Sequence, residues 1–256
     1  WQYINRRRDN RVIMKTDLAV IILAAGKGTR MNSDLPKVLH PINNQPMILQ
    51  VIQAAYRINA KPIITIVGYK HEMVKDVLKN ENIQFALQRE QNGTGHAVMQ
   101  CATHLEGFDG NILVLSGDVP FITSKTLESL IETHNASNAK ATVLTCELSN
   151  PYGYGRIIKK DDNTLKKIIE HKDANDQELK ESEINTGIYI FDSIELFKTL
   201  PHIKNNNKQK EYYLTDVINI LLDDGESVFI QKTTSEHEII GINTLKQLED
   251  ASNYGI

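Results

Sequence analysis

The sequence contains few cysteines and no long apolar segment. Its two cysteines, Cys101 and Cys146, belong to no CxxC pair, which excludes a disulfide-stapled secreted domain and a cysteine-rich zinc site. We therefore expect two free thiols and a location in the reducing cytoplasm. No apolar run approaches the roughly 18 residues needed to cross a bilayer, so we expect no membrane association.

A strong charge of one sign is also missing. The 29 basic residues nearly balance the 32 acidic ones, and the formal net charge is −3. No basic stripe with interleaved aromatic residues is present, so nothing in the sequence indicates nucleic-acid binding. With 256 residues, of which 41% are hydrophobic, the chain is long enough for one large α/β domain or two small ones.

Residues 1–13 differ from the rest of the chain. This stretch holds four arginines and precedes Met14, and we interpret it as a leader that is vector-derived, mis-assigned or disordered. A signal peptide is the competing interpretation, because basic residues precede an apolar run at 18–25. We reject it because similar β-branched runs recur at 63–67 and 112–115, which makes the first run one strand of a set.

The apolar run 18–25 is rich in Val and Ile and too short for an ordinary helix, so it predicts a strand buried on both faces. Gly26 and Gly28 follow it, and glycine lets successive backbone N–H groups point at one anion. Three cations lie close to this loop in the sequence: Lys27, Arg30 and Lys37. The alternative is a glycine-rich turn with solvated cations, but strand, glycines and cations together predict a triphosphate site.

This loop is neither a Walker A motif nor a dinucleotide fingerprint, because no Gly-Lys-Ser/Thr follows and Met31 stands at the third glycine position. The string GKGTRM-x4-PK instead resembles the signature loop of the nucleotide-sugar pyrophosphorylases. Further apolar runs separated by helix-length segments predict a largely parallel sheet. The predicted strands are 63–67, 83–87, 111–116, 141–148, 165–170, 183–191 and 227–231, and the predicted helices are 46–58, 71–78, 96–104, 125–134 and 217–222.

The loop QREQNGTG, residues 88–95, follows a predicted strand and precedes a predicted helix. Ligands in such sheets bind beyond the carboxyl ends of strands, so we expect this loop beside Gly26. The amide of Gln88 can donate to O4 of uracil and accept from its N3–H at once, while Gly93 and Thr94 let the backbone approach the base and ribose. The alternative is an Asn/Gly-rich turn that binds nothing.

Asp118 follows the predicted strand 111–116 and precedes a Val-Pro pair. A carboxylate at a strand's carboxyl end is well placed for Mg²⁺, which commonly takes one or two protein carboxylates and fills its shell with water and phosphate. The alternative is a helix cap. Thr123 or Ser124 fits the capping role better, because either residue directly precedes the predicted helix.

In the second half of the chain, polar residues in three segments can bind a sugar. Gly155, Glu170 and Asn185 offer close backbone approach, a carboxylate and an amide for hydroxyl and acetamido groups. Taken singly, each is more readily a turn or a solvated side chain. In EYYLTD we expect Tyr213 and Thr215 to reach the sugar phosphate, with Thr215 or Asp216 capping the following helix. Asn243 offers a neutral metal ligand or a helix cap.

The strings LQxEQxGTGHA, GYGRI, IxEHKDA, EINTGI and GxN occur in that order. They resemble the N-terminal pyrophosphorylase domain of the bacterial bifunctional N-acetylglucosamine-1-phosphate uridyltransferase/glucosamine-1-phosphate acetyltransferase family, over about residues 18–248. The resemblance implies a Rossmann-like nucleotide-diphospho-sugar transferase fold: an α/β, mostly parallel mixed sheet flanked by helices, with a smaller sugar-binding subregion. It implies that UTP and N-acetylglucosamine 1-phosphate give UDP-N-acetylglucosamine, a precursor of peptidoglycan and lipopolysaccharide, and pyrophosphate.

The same resemblance assigns site residues. Arg30 and Lys37 would be catalytic, and Asp118 and Asn243 would hold Mg²⁺. The implied substrate-binding set is Leu23, Ala24, Ala25, Gly26, Gly28, Lys37, Gln88, Gly93, Thr94, Ser116, Gly117, Asp118, Gly155, Glu170, Asn185, Tyr213, Thr215 and Asn243. Ser116 is a departure, because this family often has Tyr there, and its smaller side chain would loosen substrate packing.

In that family the second half is a β-helix that carries the acetyltransferase and forms trimers. No hexapeptide repeat occurs in this sequence, so we expect a uridyltransferase domain at 14–243 and a helical stub at 244–256 without the β-helix. The chain is then either a piece of a longer protein, which would be a homotrimer at full length, or a stand-alone enzyme, and we expect this chain by itself to be a monomer. Two other functions stay open: a sibling pyrophosphorylase with another sugar or base, and a non-catalytic UDP-sugar sensor.

Overall fold

The computed structural model describes residues 17–162 and 164–252; the predicted leader and Met14 lie outside them. Within the described residues, nine strands form one mixed sheet and β2 and β3 form a separate hairpin. The strands are β1 (Leu18–Ala24), β2 (Pro41–Ile42), β3 (Gln45–Pro46), β4 (Ile63–Val67), β5 (Gln84–Leu87), β6 (Asn111–Ser116), β7 (Ala141–Glu147), β8 (Gly155–Lys159), β9 (Leu165–Ile169), β10 (Glu183–Asp192) and β11 (Val228–Thr233).

Helices connect these strands. They are α1 (Met47–Arg57), α2 (His71–Val77), α3 (Thr94–Met99), α4 (Ser124–Ser137), α5 (Ser193–Thr199), α6 (Thr215–Asp223), α7 (Glu236–Ile239) and α8 (Leu245–Ser252), with short 3₁₀ helices between some of them. None of the helices in the described part of the chain is long and apolar enough to cross a membrane.

The main sheet has the strand order β11-β7-β10-β6-β1-β4-β5, and β8 and β9 branch from β10. The pairs β1–β4, β1–β6, β4–β5 and β7–β11 are parallel. Strand β10 runs antiparallel to β6, β7 and β8. The predicted mostly parallel mixed sheet is therefore confirmed, and the β8–β9 branch forms the smaller subregion.

Strand β1 lies at the centre of the sheet and is buried on both faces, as its continuous apolar run predicts. Val20 and Ile22 pack into the cluster on one side, whereas Ala19 and Ile21 pack into the cluster on the other. All four side chains are fully buried. This double burial fixes the position at which the chain leaves the sheet and enters the Gly26 loop.

The loops after β1, β4, β5 and β6 meet at one edge of the sheet. Gly68, which follows β4, packs between two of them: a Cβ there would lie 2.7 Å from the carbonyl oxygen of Ala25 and 2.9 Å from that of Gln88. Only a residue without a side chain fits so close to two backbones. The expected proximity of the Gln88 loop to the Gly26 loop is confirmed, with Gly68 between them.

Several local predictions differ from the structure. Helix α3 starts at Thr94 and ends at Met99, and a 3₁₀ turn at 102–104 follows it. The sequence analysis did not predict β8 or α5. Thr123 caps α4 by accepting a hydrogen bond from the Thr126 N–H at 3.3 Å, as predicted. The predicted cap of α6 is wrong, because that helix begins at Thr215 and has no side-chain cap.

Candidate active site

Two connected clefts open at the carboxyl edge of the sheet. The first has a volume of about 290 Å³ and lies between the Gly26 loop, the Gln88 loop and the end of β6. Ten predicted substrate-binding residues line it: Leu23, Ala24, Ala25, Gly26, Lys37, Gln88, Gly93, Thr94, Ser116 and Asp118. Near Gly26 the lining consists of small residues, which lets an anion approach the backbone N–H groups.

The second cleft, of about 330 Å³, lies against the β8–β9 branch and β10. Five further predicted residues line it: Gly155, Glu170, Asn185, Thr215 and Asn243. Leu23, Thr94 and Ser116 line both clefts, so the two spaces are neighbours that share one wall. This arrangement suits two substrates that must meet.

Charged and polar groups converge where the clefts meet. The ammonium of Lys37 forms a salt bridge with Asp118 and donates a hydrogen bond to the amide oxygen of Asn243 at 3.1 Å. Arg30 donates to the same amide oxygen at 2.8 Å. Four residues separated by up to 213 positions in the sequence thus form one cluster at the boundary between the two clefts: Arg30, Lys37, Asp118 and Asn243.

The local backbone structure positions Lys37 in this cluster. Pro36 precedes a 3₁₀ helix that begins at Lys37, and its fixed φ stiffens the approach. Gly28 has a φ of 61°, and a Cβ there would lie 2.6 Å from the Cβ of Lys37. Gly28 is therefore needed for the turn and for the close approach of the lysine stem, although it does not line either cleft.

A backbone contact brings Asn243 opposite Asp118. The N–H of Ile242 donates to the Asp118 carbonyl oxygen at 2.9 Å. Ile242 itself is fully buried in a small core with Ile42 and Met47. The segment after α7 is therefore held against the end of β6, which places the Asn243 side chain next to Lys37.

The Gln88 side chain is 3% exposed at the wall of the first cleft. Its amide nitrogen donates to the Gly93 carbonyl oxygen at 3.1 Å and contacts Nδ1 of His96 at 3.0 Å. Gly93 and His96 therefore hold this amide nitrogen within the protein. The expectation that Gln88 donates to and accepts from uracil at once stays a prediction.

Buried hydrogen bonds organise the second cleft. Thr215 donates to Glu170 at 3.1 Å, and this contact explains why its hydroxyl does not cap α6. The Asn185 amide donates to the hydroxyl of Tyr189 at 2.6 Å and accepts from the Gly187 N–H at 3.2 Å. Burial raises the pKa of Glu170 above its usual range. The cleft therefore presents a fixed carboxylate and a fixed amide.

Four predicted residues do not line the clefts. Gly28 and Arg30 support the charged cluster, as described above, and Gly117 packs below it against Leu23 and Val38. The Tyr213 hydroxyl donates to Asp173 at 3.2 Å and accepts from Gln209 at 2.8 Å. Its partners in this structure are therefore in neighbouring loops, and its contact with the sugar phosphate stays a prediction.

The sequence analysis missed several lining residues. Gln91 and Glu211 line the first cleft, and Tyr189 lines the second. Gln91 and Glu211 lie inside strings that the sequence analysis quoted, so their position in the motif was the available signal. The sequence around Tyr189 carries no signal of a site, because an aromatic residue in an apolar strand normally indicates core packing.

The comparisons agree with this geometry. The nucleotidyl transferase family profile matches residues 19–236, and the chain belongs to that family. It is 48% identical over 231 residues to the bifunctional protein GlmU of Geobacillus sp. strain WCH70 and 47% identical over 233 residues to that of Streptococcus uberis. These alignments cover 90% and 91% of this chain, and 50% and 51% of the relatives. The chain thus spans about half the length of the curated relatives it matches, and the resemblance predicted from the motifs is confirmed.

Solved structures confirm the fold. A Bacillus anthracis crystal structure assigned as a glucose-1-phosphate thymidylyltransferase, in complex with sucrose, superposes with a TM-score of 0.74 at 22% identity, covering 93% of this chain and 94% of that one. A UDP-glucose pyrophosphorylase complexed with UDP-glucose gives a TM-score of 0.73 at 18% identity, covering 93% and 98%. At these identities the likeness concerns the fold alone.

Proposed function

We propose that the chain catalyses the transfer of a uridylyl group from UTP to N-acetylglucosamine 1-phosphate, giving UDP-N-acetylglucosamine and pyrophosphate. The observation that carries this proposal is the cluster of Arg30, Lys37, Asp118 and Asn243 at the junction of two clefts. A protein that only binds a UDP-sugar has no need for so many charges at the point where two phosphates meet. The likeness to the bifunctional GlmU proteins supports the choice of substrates.

UTP would occupy the first cleft. The backbone around Gly26 would hold its phosphates, and Gln88 and Gly93 would contact the base at the other end. N-acetylglucosamine 1-phosphate would occupy the second cleft, where Glu170 and Asn185 would bind its hydroxyl and acetamido groups. The two ligands then meet at the shared wall, with both phosphates close to Lys37.

The residues present fit a magnesium ion. An oxygen of Asp118 and an oxygen of Asn243 already converge on one cationic atom, the Lys37 ammonium nitrogen. Magnesium prefers oxygen ligands and commonly takes one or two from protein and the rest from water and phosphate. Asp118 and Asn243 would therefore hold it, and when bound it would neutralise negative charge on the reacting phosphates.

The reaction needs no covalent enzyme nucleophile. An oxygen of the sugar phosphate attacks the α-phosphorus of UTP in line, and the bond to the oxygen that bridges the α- and β-phosphates breaks. Pyrophosphate leaves with the bonding electrons. The protein's contribution is positioning and charge neutralisation: Lys37 would stabilise charge at the reacting phosphates, and Arg30 would hold the departing pyrophosphate.

We also propose a cellular location, domain bounds and an oligomeric state. We place the enzyme in the cytoplasm, where UTP is available, with its product supplying peptidoglycan and lipopolysaccharide synthesis. We propose residues 14–243 as the uridyltransferase domain and 244–256 as a stub, of which α8 is described. A longer protein carrying a β-helix domain would be a trimer, and this chain alone a monomer.

The substrate assignment is tested by pyrophosphate release. Purified protein with Mg²⁺ is given each of UTP, dTTP, CTP and GTP, with N-acetylglucosamine 1-phosphate, glucose 1-phosphate or glucosamine 1-phosphate. We expect release mainly with UTP and the acetylated sugar, because Gln88 and the Glu170–Asn185 pair select these two. A preference for another pair would support a sibling pyrophosphorylase, and no release with any pair would support a sensor.

The sugar cleft gives a second prediction. Replacing Asn185 with alanine should raise KM for N-acetylglucosamine 1-phosphate, with a smaller effect on kcat and on KM for UTP, because the amide is fixed by Tyr189 and Gly187 and faces the second cleft. Initial rates at varied sugar phosphate and saturating UTP measure this. Asn82→Ala is the matched control, since Asn82 is exposed on a distant turn; an unchanged KM in Asn185→Ala would remove Asn185 from sugar binding.

A further inference from the structure

The orientation of the Gln88 amide can be deduced from its neighbours. The Gly93 carbonyl oxygen, 3.1 Å away, can only accept a hydrogen bond, so the atom facing it must be the Gln88 amide nitrogen. The second hydrogen on that nitrogen is directed at Nδ1 of His96, at 3.0 Å. With both hydrogens engaged, the carbonyl oxygen Oε1 is the Gln88 side-chain group left for the cleft.

This arrangement determines the proton position on His96. Because the Gln88 nitrogen donates, Nδ1 of His96 must accept, and the neutral ring carries its proton on Nε2. The Gln100 amide nitrogen is 3.4 Å from Nε2 of the same ring, but it already donates to the His96 carbonyl oxygen at 2.8 Å. The second hydrogen of that amide is left for Nε2, but a neutral imidazole accepts at only one of its two nitrogens, and the 3.0 Å contact at Nδ1 is the shorter of the two, so we assign the accepting role to Nδ1.

The ring of His96 is itself fixed. His96 lies in α3, whose N-terminal residues are tied to Tyr212: the Gly95 N–H donates to the Tyr212 carbonyl oxygen at 2.8 Å. The Tyr212 ring packs beside the imidazole, with the ring centroids 6.4 Å apart. A Cβ on Gly93 would lie 2.5 Å from the same Tyr212 carbonyl oxygen, so the loop, the helix and Tyr212 form one tightly packed unit.

We propose that His96 is a positioning residue for nucleobase selection: it holds the Gln88 amide so that Oε1 faces the cleft and accepts a hydrogen bond from the base. This inference rests on the proposed uridylyl transfer and specifies how the base is selected. Uracil presents a donor at N3, whereas cytosine presents an acceptor there. An oxygen held toward N3 therefore favours uracil and opposes cytosine, because two acceptors would face each other.

The test compares kcat/KM for UTP with kcat/KM for CTP in three variants. In His96→Ala the amide keeps its hydrogen bond to Gly93 but loses the second contact that fixes the plane of the amide, so Oε1 is no longer held toward N3 and the UTP preference should fall on the order of tenfold, about the worth of one buried hydrogen bond. His96→Asn can offer an acceptor oxygen to Gln88 and should restore most of the preference. The matched control is His104→Ala, whose ring contacts the Phe85 carbonyl oxygen instead; it should leave the preference unchanged.

The ratio of kcat/KM for UTP to kcat/KM for CTP distinguishes a positioning role from a merely structural one, because a destabilised fold lowers both kcat/KM values together. A UTP preference that stays within about twofold of wild type in His96→Ala, or an equal loss with both nucleotides, would overturn the proposal. Wild-type protein that does not distinguish UTP from CTP would overturn it as well. A wild-type preference for dTTP over UTP would instead overturn the uridine assignment alone, since thymine also has a donor at N3.

Discussion

Replacing Lys37 with alanine is expected to lower kcat by at least about 100-fold, the scale of losing one preorganised charge at a reacting centre. The Lys37 ammonium lies between Asp118 and Asn243 at the junction of the two clefts, where the α-phosphate and the sugar phosphate would meet. Its side chain is only 18% exposed, so water replaces the missing charge poorly. Pyrophosphate release at saturating UTP, sugar phosphate and Mg²⁺ measures the loss.

Two further variants isolate the charge. Lys37→Met keeps the aliphatic stem that packs against Gly28 and removes only the ammonium, so it should lose as much turnover as Lys37→Ala. Lys75→Ala removes a lysine from the surface of α2, where it pairs with Glu72 at 3.4 Å, and should leave turnover unchanged. If Lys37→Met turned over like wild type while Lys37→Ala did not, the lysine would act through packing and the proposed charge role would be wrong.

The central strand and its loop were predictable because their causes are local. An apolar β-branched run must be buried, and glycines after it allow an anion to approach the backbone. The same reasoning placed Asp118 at the end of β6. Residues whose role depends on strand ends and turns are visible in the sequence because the spacing of a few neighbours determines them.

The predicted cap of α6 was wrong because its cause is not local. Thr215 has the right residue type for an N-cap, but it is the first residue of the helix itself, and its hydroxyl donates to Glu170, 45 positions earlier in the chain. A buried carboxylate needs donors, and this requirement outweighs a local cap. No pattern around Thr215 contains that information.

The orientation of the side chains within the clefts could not be predicted from the sequence either. The amide of Gln88 is oriented by His96, and Asn185 is oriented by Tyr189 across a register irregularity in β10. Both partners are four to eight positions away in sequence, yet the contacts depend on how the loop and the bulge fold. The sequence therefore indicated the residue types that line the clefts, and the packed structure determined which of their atoms are hydrogen-bonded within the protein.

Replacing Asp118 with asparagine should also lower kcat by at least about 100-fold. The change keeps the shape of the side chain and removes the negative charge that attracts a cation to the junction. It should in addition raise the Mg²⁺ concentration needed for half-maximal rate, which a metal titration at saturating substrates measures. Asp76→Asn is the matched control, because that carboxylate pairs with Lys79 on the surface of α2. Near-wild-type turnover and an unchanged metal requirement in Asp118→Asn would contradict the metal role.

Asp118 has a second means of acting, because it is also the charged partner of Lys37, and the two roles predict different double-variant behaviour. If Asp118 only positions Lys37, combining Asp118→Asn with Lys37→Met should cost no more turnover than Lys37→Met alone, since the partner to be positioned is gone. If it also holds the metal, the double variant should be slower than either single one and should keep the raised metal requirement. Binding of Mn²⁺ to each variant, followed by its paramagnetic signal, gives the same distinction without turnover.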